Sequence, residues 1–236
     1  MSIALTPIPY RDGDIALTGW LARPQTAPRA AILVFPTIAN VNAAMERRAA
    51  RLAEAGYLAM IADFYGEAVE SFEASGPLAQ MLRTDPHTYR ARLRVAIATL
   101  RGLPEAAGIP MAAIGFCMGG QAALEAARDG ADLAVVVSFH GLLDTQLAAA
   151  PGAIKARILV CHGDADPMVP REAVLAFWEE MDAAGADWHF HSYSGVRHGF
   201  TDPASDARGF DAVKYNASAD RQSWAAMLGL FDEVFG

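Results

Sequence analysis

The sequence predicts an α/β domain: a mostly parallel central sheet with helices on both faces. Three observations predict it. Short, continuously apolar runs, such as residues 30–35 and 57–62, recur along the chain, as strands buried on both faces do. Apolar residues also recur at helical spacing, as at Val174, Phe177, Trp178 and Met181. The two patterns alternate, which is the order of β-α units around a parallel sheet.

Each element has its own signal. Residues 15–21 (IALTGWL) alternate and form an early antiparallel strand. Residues 30–35 (AAILVF) form a buried strand. Asn40 or Asn42 caps the helix after it, which ends near Gly56. Residues 57–62 form the next strand. Residues 66–85 read as irregular and acidic, a loop or lid over a site. A helix fills 86–101. A strand at 111–116 runs into a helix at 118–129. Strands follow at 133–139, 157–162 and 187–193, with a helix at 171–184 between the last two. The tail from about 208 is helical, and its Trp224 and Phe231 pack onto the sheet.

The 236 residues suit one domain, 1–236, large enough to fold without staples. The net charge of −8 argues against broad nucleic-acid binding, which needs a basic surface. Arg83, Arg90, Arg92 and Arg94 read as a solvated helix face. The N-terminus lacks a signal-peptide pattern, and no apolar run reaches the ~18 residues of a membrane span. The expectation is a soluble, cytoplasmic monomer or homodimer. Of the two cysteines, Cys161 lies in an apolar strand as a core thiol. His189 and His191 share a strand face, but no third ligand is evident. No metal and no cofactor are expected.

Ligands of such sheets bind at the carboxyl ends of strands, and three motifs fall there. Gly115-Phe116-Cys117-Met118-Gly119-Gly120 follows a strand and opens a helix. It has the G-x-S-x-G elbow pattern with cysteine in the serine position. Its glycines are needed because the nucleophile sits on a sharp turn where Cβ atoms would strike backbone. The helix N-terminus favours a thiolate. His162-Gly163-Asp164-Ala165-Asp166-Pro167 offers Asp166 as the acid, with Asp164 the competitor that shapes the turn. Arg197-His198-Gly199-Phe200 offers His198 as the base. Nucleophile, acid, histidine is the α/β-hydrolase chain order. In that reading His198 takes and returns a proton, and Asp166 orients it. The backbone N–H groups of Met118 and Ile38 form the oxyanion hole.

With these residues in view, the chain resembles the dienelactone hydrolase family nearly end to end. GFCMGG is similar to that family's nucleophile motif, HGDADPMVP to its acid loop, RHGF to its histidine segment, and Asp63-Phe64-Tyr65-Gly66 to its segment after the next strand. The resemblance implies metal-free hydrolysis of a small ester or lactone through an acyl-cysteine. It also implies departures. Thr37 stands where members acting on dienelactone carry a glutamate, and Asp202 where they carry a substrate-binding arginine. Arg83 is the candidate to replace that charge. His140, in Phe139-His140-Gly141, either lines the pocket or is structural; Tyr65 and Phe200 are further pocket candidates. Thr37 and Asp202 together point to a neutral or cationic substrate. The competing readings are a non-catalytic ligand-binding protein and a thiol redox sensor on the same fold.

Overall fold

A computed structural model describes residues 3–236. They form two compact units, one running to Ile114 and the other from Gly115 to Gly236. In the first, β1 (Thr6–Asp12) pairs antiparallel with β2 (Ile15–Ala22), and Asp12 faces Ile15 across a two-residue turn at Gly13-Asp14. Gly13 takes φ +57° there, which glycine adopts without strain. β1, which the sequence analysis does not place, carries Pro7 and Pro9. As the outermost strand it tolerates residues that donate nothing to the ladder.

β2 pairs antiparallel with β4 (Leu58–Ile61), which pairs parallel with β3 (Ala31–Phe35). β3 neighbours β5 (Met111–Phe116), whose first four residues belong to this unit and last two to the second. β3, β4 and β5 are buried throughout, as their uninterrupted apolar runs require. Of the two candidate caps, Asn42 is the one used. Its Oδ1 accepts from Ala44 N and Met45 N at 2.9 and 3.2 Å at the start of α1 (Ala43–Glu54).

Two expectations for this unit are corrected. Residues 72–84 are not irregular but form α2 (Phe72–Thr84). The helix contains Gly76 and Pro77, and Ser71 caps it by accepting from Ala74 N at 3.2 Å. Pro77 sits in the second turn, where its missing N–H costs one intrahelical bond. The arginines of α3 (Pro86–Arg101) are not all solvated either: Arg90 and Arg92 are buried. Arg92 Nε donates to Asp12 Oδ2 at 2.7 Å and its Nη1 to the Phe64 carbonyl. A charge inward of a helix surface is satisfied here by a carboxylate and a backbone oxygen.

In the second unit the end of β5 is followed across the sheet by β6 (Val135–Phe139), β7 (Arg157–Gly163) and β8 (Trp188–Tyr193). The pairings β6–β7 and β7–β8 are parallel. Successive strand residues face opposite sides, and β8 shows what each side carries. Trp188 and Phe190 meet Phe177 and Trp178 of α5 (Arg171–Ala184). His189, between them, is exposed on the other side. Helix α6 (Ala217–Phe235) packs on the sheet at β6. Trp224 of α6 stacks on Phe139 at 6.4 Å, and Phe231 is fully buried. Burying each such ring contributes about 1.5–3 kcal/mol.

The tail is a third correction. It becomes α-helical only at Ala217, where Asn216 accepts from Ala219 N. Residues 203–208 form a 3₁₀ turn, and the segment after it bridges to His198 through Val213. That bridge competes successfully with helix. No helix among the described residues is long and apolar enough to cross a membrane.

Candidate active site

Cys117 joins β5 to α4 (Met118–Arg128) with φ +57° and ψ −121°, a strained conformation for a residue with a Cβ. The glycines around it have steric reasons. A Cβ on Gly115 would lie 1.8 Å from Gly119 O, and one on Gly120 would lie 2.6 Å from Ser138 Oγ and 2.8 Å from Gly141 Cα. The turn is thus closed by backbone lying on backbone. The Cys117 carbonyl accepts the first helical bonds from Gly120 N and Gln121 N. The Cys117 N–H is shared by Phe139 O at 3.0 Å and His140 Nδ1 at 3.1 Å.

The acid and histidine loops are held together by backbone. A Cβ on Gly163 would meet Val196 O at 2.5 Å, so only glycine lets the end of β7 approach residues 196–197. Asp164 N donates to Tyr193 O and Ala165 N to Val196 O. This close seam brings Asp166 Oδ2 to 2.7 Å from His198 Nδ1, with both side chains buried. Asp166 Oδ1 accepts from Met168 N at 2.8 Å, which fixes the carboxylate plane. Asp164 points elsewhere, gripping Arg171 at 3.0 and 2.7 Å. His198 is pinned by its own backbone, which bonds Ala212 O and Lys214 N.

The electrostatics link His198 to the cysteine. Burial opposes its charged form. The charge of Cys117, the hydrogen bond to Asp166, hydrogen bonding to Cys117 and the charge of Asp166 outweigh burial and push His198 up to about 10. Asp166 occupies Nδ1, and Nε2 is buried. His162, in contrast, is pushed down by burial despite the nearby charges of Asp166 and Asp164. Cys161 is fully buried, and burial pushes its thiol up to about 12, against a weaker opposing hydrogen bond with Tyr193. Such a thiol is inert.

The other anticipated residues separate into groups. His140 is buried, at φ +40°, with Nε2 2.8 Å from Thr201 Oγ1. Its ring stands edge-on to His198 at 5.2 Å and to Phe200 at 5.1 Å. Phe200 is fully buried and packs on Tyr193 as well. Asp202 is not an open negative charge. It caps the 3₁₀ turn through Ala204 N and pairs with Arg208 at 2.8 Å. Its charge is thus shared with a cation from its own turn.

Within the first unit, Ile38 and Thr37 lie in the loop after β3. Thr37 Oγ1 accepts from Ala39 N, and Tyr65 Oη donates to Ile38 O at 3.1 Å. Asn40, at φ +55°, donates to Asp63 Oδ1 at 2.8 Å and accepts from Phe64 N. Asp63 Oδ1 also takes Tyr65 N and Gly66 N. Arg83 stands in the last turn of α2, half-buried. Sequence reasoning missed the Asn40–Asp63 clamp and Thr201. Asn40 had a signal as a residue tolerant of positive φ; Thr201 had none, because its partner lies 61 residues away.

Comparison with known proteins shows the family. The model of the dienelactone hydrolase family matches residues 17–235. A solved structure named m3DLH is 39% identical, with each chain covered fully and a TM-score of 0.93. A dienelactone hydrolase-like promiscuous phosphotriesterase from metagenomic libraries is 35% identical over both whole chains, also at 0.93. A probable 2-oxo-3-(5-oxofuran-2-ylidene)propanoate lactonase of Bradyrhizobium sp is 28% identical over 87% of this chain and 84% of its own. The chain belongs to the dienelactone hydrolase family and is an ester or lactone hydrolase.

Proposed function

We propose that the protein cleaves a small ester or lactone with Cys117 as nucleophile, His198 as acid and base, and Asp166 as the residue that orients His198. One observation carries the reading: a buried imidazole bonded to Asp166 at Nδ1, whose protonated form the charge of Cys117 and the bond to Asp166 favour over burial. In the resting pair the thiolate faces an imidazolium. Sulfur attacks the carbonyl carbon, and the oxyanion takes the N–H of Met118. The C–O bond breaks as His198 gives its proton to the leaving oxygen. Water, deprotonated by His198, then attacks the acyl-cysteine; the C–S bond breaks and the ion pair is restored.

The substrate we propose is uncharged. Thr37 supplies no carboxylate, and Arg208, the cation beside Asp202, is already paired. A relative named as a promiscuous phosphotriesterase supports an ester as the substrate. The test is a panel of short esters, thioesters, neutral lactones and dienelactone on wild type and Cys117→Ala. Turnover of neutral esters or lactones by wild type, with none by the variant, is expected. Near-normal turnover by Cys117→Ala overturns the nucleophile. A kcat/KM above ~10⁴ M⁻¹s⁻¹ on dienelactone, with no better neutral substrate, overturns the substrate class.

A further inference from the structure

We propose that His140 is a positioning residue: a permanently neutral imidazole that anchors the nucleophile elbow from behind and leaves the site's one positive ring to be His198. The inference rests on Cys117 being the nucleophile. Three contacts carry it. Cys117 N–H donates to His140 Nδ1 at 3.1 Å. A nitrogen that accepts a hydrogen bond carries no proton, so the ring's proton is on Nε2. Nε2–H then donates to Thr201 Oγ1 at 2.8 Å, which fixes both the tautomer and the ring plane. The third contact is the edge-on packing against His198 at 5.2 Å.

The arrangement is self-consistent in charge. Around the ring stand Cys117 from the elbow, His198 from the loop after β8, and the apolar rings of Phe116 and Phe200. A second imidazolium beside the first would repel it and compete for the thiolate. Protonation at Nδ1 would also put two N–H groups head to head at Cys117. The backbone is committed to the same end. His140 sits at φ +40°, and its N–H donates to Cys161 O at 2.8 Å, so β6 ends by turning this ring under the nucleophile. The neighbouring Gly141 has no room for a Cβ, which would lie 2.7 Å from Gly120 C. The elbow and residues 138–141 are therefore one interlocked piece, and His140 is its polar pin.

The test has two independent arms. In wild-type protein labelled with ¹⁵N-histidine, His140 is expected to stay neutral with its proton on Nε2 between about pH 5 and 8, where an ordinary histidine titrates. A His140 that protonates in that range, or carries its proton on Nδ1, overturns the proposal. The second arm is kinetic. His140→Ala is expected to lower kcat roughly 10- to 10²-fold with KM changed less than about threefold, as slight misplacement of a reacting group does. His140→Asn tolerates positive φ and offers an oxygen to the Cys117 N–H, and should recover most of that loss. Equal impairment of both variants, or none in His140→Ala, overturns it. Melting curves taken alongside separate misfolding from misplacement, and the spectra need no variant. Failure of the proposed function reads differently, as turnover that survives Cys117→Ala.

Discussion

At the scale of single residues, the site is a set of side chains whose partners set their chemistry. His198 holds its proton because Cys117 and Asp166 outweigh the penalty of burial. A raised pKa means that the protonated ring persists through neutral pH and is lost only as pH rises toward about 10. Hydrolysis should therefore hold through neutrality and fall on the alkaline side, where the leaving oxygen finds no proton. Asp166→Asn should shift that alkaline limb to lower pH and reduce kcat, which initial rates across a pH series would show. His198→Ala should slow alkylation of Cys117 by iodoacetamide at pH 7; an unchanged rate would separate ring from sulfur. The roles proposed for Cys117, Asp166 and His198 come from the sequence, where each sits in a short motif after a strand. The partnership of His140 with Thr201 was not, since two loop residues far apart in the chain meet only after folding.

At the scale of elements, most strands and helices followed their patterns, and the exceptions share a cause. β1 carries prolines that an outer strand tolerates, and α2 a Gly-Pro pair that a good cap outweighs. Arg90 and Arg92 looked like solvent-facing charge, and only tertiary partners such as Asp12 explain their burial. In each case a local preference yields to a contact that composition does not announce. Asn42→Ala should cost about 1 kcal/mol by removing the acceptor for two α1 amides, readable in denaturant melts without loss of kcat. Gly115→Ala should do more harm. Its Cβ would have to displace the Gly119 carbonyl, so destabilisation of about 3 kcal/mol and loss of turnover are expected together.

At the scale of the whole molecule, the alternation of apolar runs and helical patterns was enough to read the fold class, because strands buried on both faces leave little choice of composition. Net charge acts at this scale too. With −8 on the chain, an anionic ester approaches against a repulsive field that salt screens. Raising ionic strength should increase kcat/KM for anionic esters and leave neutral ones unchanged. The seclusion of Cys161 has a practical corollary. A chromogenic disulfide reagent should register a single sulfhydryl per native chain and a second only once denaturant is added. The first reading then counts competent molecules in any preparation, giving turnover numbers a denominator that needs no inhibitor.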